Sequence, residues 1–333
     1  MIKFACQNPD CNFAETGKCV EGFEIGKCPH QVKEEYEEEV ENPDNSSSEY
    51  DVTEEDKSQT IINGDVLDIN QATSILCEGP NRVICLIGPR ESGKTTLGIS
   101  LYDAFQNGPY NYWYFSGSKT LLAFERRCHY ARVSCGKSKP DTPRTSLSEG
   151  LGFLHFSVHS QETRKIELLI SDRSGEFYER IANNLENCNQ LFEVKRANSI
   201  IFLIDGERLI GDERYGLKNE IVIILKTLLQ NKIITEFHRL SLVLTKYDLV
   251  VTSENKEQAE DLFEAIYQNF IKNCDSLCSE IKSYKISARP ENDSLEMRYG
   301  LFELFENFLI TIPKKFTSHK ISNFYDRFFH CLT

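Results

Sequence analysis

The sequence predicts a doubly wound α/β domain on a mostly parallel sheet, with a small cysteine-rich module ahead of it. Three observations carry that expectation. Short apolar runs recur from about residue 80 onward, several of them uninterrupted, as in strands covered on both faces. Amphipathic helical periods separate them, the alternation expected of α/β folds. The first apolar run leads straight into a turn carrying two glycines and a lysine, "GPRESGKTT".

The strand candidates are "RVICLIG" (82–88), "FLHFSV" (153–158), "KIELLIS" (165–171), "SIIFLID" (199–205), "LSLVLT" (240–245) and "SYKIS" (283–287). The second and third are joined only by "HSQETR", which reads as a hairpin, so one edge strand is expected to be antiparallel. Helices are expected over 94–106, 213–231, 256–274 and 299–310. The chain ends in "ISNFYDRFFHCLT", where Ile321, Phe324, Tyr325, Phe328, Phe329 and Leu332 share one helical face. That face either packs on the domain's own core or docks a partner. The layout is a cysteine-rich stretch at 1–32, an acidic tether at 33–58, the α/β domain at 59–312 and a terminal amphipathic helix at 313–333.

Composition narrows the class. Apolar residues make up 40% and charged residues 27%, a globular balance. The formal charge is −13, yet residues 33–57 hold twelve acids and two bases, a net of −10, which leaves −3 for the rest. The acidity is therefore a property of the tether, and nonspecific binding to nucleic acid is not favoured. The opening "MIKFACQNPD" lacks an apolar core, and no apolar run approaches the length of a transmembrane segment. The expected compartment is the cytosol, where twelve cysteines do not imply a disulfide framework.

Four segments carry chemistry. In Gly88-x-x-x-x-Gly93-Lys94-Thr95 the strand-to-helix turn lets backbone N–H groups of Glu91, Ser92, Gly93 and Thr96 approach phosphate oxygens, aided by the helix dipole. Lys94 reaches the terminal phosphates and the Thr95 hydroxyl ligates Mg²⁺. In "LLISDRSGE", Asp172 at a strand end holds Mg²⁺ through water, and Gly175 offers a backbone N–H to the γ-phosphate. In "LVLTKYDLV", Asp248 accepts two hydrogen bonds from guanine, a donor pair that adenine lacks, while Lys246 lies along the base and Thr245 opens the motif. In "KISARP", Ser287 and Ala288 bring a backbone N–H near the guanine oxygen.

In this order, each at the end of a readable strand, these segments resemble the P-loop GTPase superfamily in its translation-factor and Ras-related class, over about residues 80–312. The "GPRESGKTT" loop looks especially like that of heterotrimeric G-protein alpha subunits. The resemblance implies GTP and GDP as ligands, Mg²⁺ as cofactor, hydrolysis to GDP and phosphate, and an effector or regulatory protein as partner. A non-cycling GTP-dependent scaffold and a P-loop ATPase remain as alternatives.

The sequence departs from the family pattern at three places. A switch threonine that ligates Mg²⁺ should precede residue 153; Thr145 in "TPRTSLSEG" is the choice, with Thr142 next. The interval from Gly108 to Gly150 is long, with an aromatic run "YNYWYF", an expected helix "KTLLAFERRCHYAR", and seven bases against two acids between Lys119 and Arg144. It packs its aromatics on the sheet, receives the tether or another protein, or touches nucleic acid, the last disfavoured by the acidic total. Finally, Glu176 stands where many relatives have a glutamine that orients water, and Arg90 stands in the loop where Ras-like proteins have glycine. Glu176 brings negative charge toward the γ-phosphate, so slow intrinsic hydrolysis is expected. Arg90 either stabilises transition-state charge in cis, obstructs a partner's arginine, or points to solvent.

Cys6, Cys11, Cys19 and Cys28, with His30 close behind, lie in a segment too short to bury a core unaided. Four of these five around Zn²⁺ would supply folding energy; the alternative is free thiols in a disordered tail. Such a knuckle, an acidic tether and a GTPase-like domain with a long switch insert also look like a group of bacterial GTPases linked to conflict or defence gene clusters. That likeness implies a partner encoded nearby.

Overall fold

The computed structural model describes residues 3–6, 31–34, 64–131, 150–183, 190–274 and 281–310. The chain divides into two units, Met1–Gln59 and Thr60–Thr333. In the first, strands β1 (Lys3–Cys6) and β2 (Gln31–Glu34) pair antiparallel, Cys6 opposite Gln31. Cys11, Cys19, Cys28 and His30, Thr145 and Thr142, and the expected terminal helix at 313–333 all lie outside the described residues.

The second unit is built on a seven-stranded sheet. Its strands are β3 (Asn81–Ile87), β4 (Tyr114–Gly117), β5 (Gly152–His159), β6 (Ile166–Asp172), β7 (Ser199–Asp205), β8 (Arg239–Thr245) and β9 (Ile281–Lys285), in the order β4-β5-β6-β3-β7-β8-β9. The five strands β6, β3, β7, β8 and β9 are mutually parallel; β5 runs antiparallel to β6, and β4 runs antiparallel to β5. The hairpin of β5 and β6 is as expected, but β5 is not the edge. The aromatic run supplies β4, which pairs outside it. The sequence hid this strand because four residues with an irregular register around Gly117 give no alternation to read.

Alternation along the central strands places helices on both faces. Ile200, Phe202 and Ile204 face one side, with Leu242 and Leu244, under α4 (Gly175–Asn183), α5 (Phe192–Arg196), α6 (Gly206–Ile210), α7 (Arg214–Gln230), α8 (Tyr247–Thr252) and α9 (Lys256–Cys274). Ile201, Leu203 and Val243 face the other, under α2 (Lys94–Ala104), α3 (Leu121–Ala131) and α10 (Leu301–Leu309). Each such fully buried aliphatic or aromatic side chain contributes about 1.5–3 kcal/mol over its exposed state, so a charge at Ile201 or Phe202 would break the layer it serves. A shorter helix, α1 (Ile69–Leu76), opens on a capping box in which Asp68 and Gln71 bond each other's backbone N–H.

The basic aromatic segment packs on the sheet where it is described. Trp113 and Phe124 are buried, Tyr102 stacks on Phe124, and Tyr110 meets Phe302 edge to face. Thr120 ties the start of α3 to β5: its hydroxyl donates to the carbonyl of His155 at 3.0 Å and accepts from the N–H of His155 at 2.8 Å.

Candidate functional site

Apart from Cys6 in β1, every described candidate lies at or just beyond the carboxyl end of a parallel strand, the rim where α/β sheets receive ligands. β3 runs out into Gly88, β6 ends on Asp172, β7 on Asp205, β8 on Thr245, and β9 leads to Ser287. The residues gather because parallel strands deliver their ends to one side.

The glycine-lysine turn is closed on itself. Lys94, the first residue of α2, donates from Nζ to the carbonyls of Gly88 at 2.8 Å and Pro89 at 2.7 Å. Burial pushes its pKa down to about 8, against the opposing pull of Asp172 and Glu179. Glu91 (φ 63°) and Gly93 (φ 89°) both take the left-handed conformation, which turns successive N–H groups toward one concavity. For Glu91 that costs on the order of 1 kcal/mol, the kind of strain kept at functional loops. The Ser92 hydroxyl is buried with no hydrogen-bond partner among the described residues. An ammonium resting on its own loop, an orphaned hydroxyl and a nest of N–H groups at a helix start together fit an oxyanion ligand. Thr95 and Thr96 stand in the first turn of α2, half-buried.

Asp172 is buried at the end of β6, and Arg127 of α3 donates to its Oδ2 at 2.8 Å. The Thr95 hydroxyl and this carboxylate are hard oxygen donors, few in number, which suits Mg²⁺ with its retained waters. Gly175 begins α4 directly against the phosphate loop. A Cβ there would lie 2.5 Å from both Arg90 N and the Pro89 carbonyl carbon, so only glycine fits. Glu176 follows in the first turn, with its Oε1 3.9 Å from Arg90 Nη1. Of the three readings of Arg90, the arrangement gives an arginine half exposed and set between two carboxylates, its Nε 3.7 Å from Glu91 Oε1 and its Nη1 3.9 Å from Glu176 Oε1.

The third segment is joined to the first. Thr245 is buried, and its hydroxyl donates to the carbonyl of Ser92 at 3.0 Å or to that of Ile204 at 3.1 Å. Lys246 (φ 51°) reaches Asp205 Oδ2 at 3.0 Å and Glu207 Oε2 at 2.7 Å. Burial raises the Asp205 pKa, with Lys246 pulling the other way. Asp248 is buried, and each of its oxygens is held: Ser287 Oγ donates to Oδ1 at 2.5 Å, and the backbone N–H of Glu291 donates to Oδ2 at 2.9 Å. A carboxylate offers about four lone-pair sites, so two remain for a bidentate donor while the other two fix its plane. Ser287 N–H is taken by the carbonyl of Tyr299, and Ala288 follows half-buried.

The family model of the Double-GTPase 2 family matches residues 82–310, which spans the loop, Asp172, Asp248 and Ser287. The chain belongs to that family. It is a P-loop GTPase, and the family implies GTP or GDP and usually Mg²⁺. No curated protein matches it. Among solved structures it is similar to a bacterial selenocysteine-specific elongation factor, EF-Sec, at 15% identity and a TM-score of 0.34. That match covers 63% of this chain and 26% of the other, so the chain spans about a quarter of that protein's length.

Other members of the site had no signal in the family pattern. Arg127 belongs to the insert, and its approach to Asp172 depends on how α3 packs. Arg173, inside the Asp172–Gly175 motif, is ion-paired to Glu193 of α5 at 2.8 Å and lies over the Phe177 ring, while Tyr178 donates to Glu193 at 3.2 Å. Burial raises the Glu193 pKa, with Arg173 opposing. Among the described residues no cluster of three or more potential metal-ligating side chains is found, and no helix is long and apolar enough to cross a membrane.

Proposed function

We propose that this GTPase is a nucleotide-controlled switch for a partner protein, with slow Mg²⁺-dependent hydrolysis. The observation that supports the reading is the joint between Thr245 and Ser92, which ties the glycine-lysine loop to the strand end that leads to Asp248. Gly88, Glu91, Ser92, Gly93, Lys94, Thr95 and Thr96 would cradle the phosphates. Thr95 and Asp172 would hold Mg²⁺, with Thr145 joining in the triphosphate state. Asp248, Lys246, Ser287 and Ala288 would read guanine. A bound magnesium ion would offset charge on the phosphates, Gly175 would meet the γ-phosphate, and Glu176 with Arg90 would set the charge felt by the attacking water. Ordering of segments around Thr145 and 172–185 would then alter affinity for the partner.

One observation favours the second reading, a scaffold that binds GTP without cycling. The start of α4 is bolted to α5 through Arg173, Tyr178 and Glu193, which restricts any movement of 172–178. Hydrogen exchange with GTP analogue against GDP separates the two readings. The switch predicts stronger protection of 172–185 in the triphosphate state; identical exchange in both states supports the scaffold. At the amino terminus, Cys6, Cys11, Cys19, Cys28 and His30 are proposed to supply four ligands to a structural Zn²⁺ that recruits a partner. Metal analysis checks this, with about one zinc per chain expected and its removal expected to unfold that segment.

A further inference from the structure

Helix α3 comes from the 108–150 insert, yet it delivers a guanidinium to the carboxylate assigned to magnesium. Arg127 Nη2 donates to Asp172 Oδ2 at 2.8 Å, and Nη1 donates to the carbonyl of Ala123 one turn back at 3.3 Å. Both side chains are largely buried, at 16% and 5% exposure, so solvent screens the pair little. The helix that aims Arg127 is firmly placed: Thr120 and His155 bond each other at its start, and Ala123, Phe124 and Cys128 are buried beneath it. Lys94 lies close enough to feel the same carboxylate.

We propose that Arg127 is a positioning residue that competes with Mg²⁺ for Asp172. With no metal bound, it supplies the countercharge and fixes the carboxylate's orientation. Asp172 faces a hydrated magnesium ion only after the guanidinium has moved off, so Mg²⁺ is admitted at a concentration set by the strength of this ion pair. The inference rests on the nucleotide reading for its consequence, though the competition at Asp172 can be measured apart from it.

The test is a Mg²⁺ titration of the full chain with a fluorescent GTP analogue, on wild type, Arg127→Gln and Arg127→Lys, with binding in EDTA measured alongside. The Mg²⁺ concentration for half-maximal tightening should fall about tenfold in Arg127→Gln, the size expected on removing one charge-assisted hydrogen bond from the competitor. It should fall less in Arg127→Lys, and affinity in EDTA should stay within about twofold. An unchanged or higher midpoint overturns the proposal. So does a parallel loss of affinity in EDTA, which would place Arg127 on the phosphates. A second arm uses no nucleotide: Mg²⁺ alone should raise the melting temperature of Arg127→Gln more than that of wild type, and equal shifts overturn the proposal. Failure of wild type to bind the analogue at any Mg²⁺ concentration would instead count against the nucleotide reading, and the second arm would still decide the competition.

Discussion

Arg90 Nη1 lies 3.9 Å from Glu176 Oε1, so two residues that depart from the Ras-like pattern offset each other's charge beside the phosphate loop. Both are about half exposed, 50% and 42%. Such a pair adds little to stability, on the order of 0–1 kcal/mol before discounting for screening. Its effect should appear in hydrolysis. Arg90→Ala leaves the glutamate uncompensated and should slow single-turnover hydrolysis by about fivefold, the size of one charge at ~4 Å in nearly aqueous surroundings. Glu176→Gln should speed it by a similar factor, and the double variant should return close to wild type. Unchanged rates in both single variants would remove the pair from the mechanism.

Lys94 gives the site a pH dependence whose sign is fixed by burial. Its folded pKa, about 8, is depressed from an ordinary 10.5. Between those values the unfolded chain binds the extra proton, so the nucleotide-free protein gains stability as pH rises through that window. Triphosphate binding needs the charged amine and should move the opposite way. GTP affinity should fall about tenfold from pH 7 to pH 9 as the free enzyme loses that proton. Lys94→Arg, which stays charged, should flatten the profile; an unaltered slope in that variant would assign the titration to another group.

Gly175 tests the close packing of the second motif on the first. Gly175→Ala would bring a Cβ within 2.5 Å of Arg90 N. The phosphate loop must then shift, and GTP affinity should drop about tenfold or more. Equal affinity would mean that the loop moves freely.

Much of this was legible in the chain. The continuous runs at 199–205 and 240–245 became β7 and β8 because strands buried on both faces need no alternation. The helix expected over 256–274 matches α9 to the residue. Asp172, Gly175, Asp248 and Ser287 could be placed because parallel strands carry their last residues to one rim. β4 was missed, being short and irregular, and so was α1, although the spacing of Asp68 and Gln71 is a capping-box signal. Arg127 and Glu193 were not legible at all. Their roles depend on how α3 and α5 pack, which no local pattern encodes.

The anchor of α4 should register as stability. Glu193 is fully buried and meets both Arg173 and Tyr178. Glu193→Ala strands a buried guanidinium, so urea denaturation should show a loss of about 3 kcal/mol. A loss below about 1 kcal/mol would mean that Arg173 finds water instead.

The central claim is that Asp248, held by Ser287 and Glu291, reads the guanine edge. Calorimetric titration with GTP, ATP and xanthosine triphosphate, on wild type and Asp248→Asn, tests it most directly. Wild type should prefer GTP over ATP by about a thousandfold or more, the scale set by leaving a buried hydrogen-bonding group unpaired, and Asp248→Asn should shift preference to xanthosine triphosphate. Equal affinity of wild type for GTP and ATP would contradict the account.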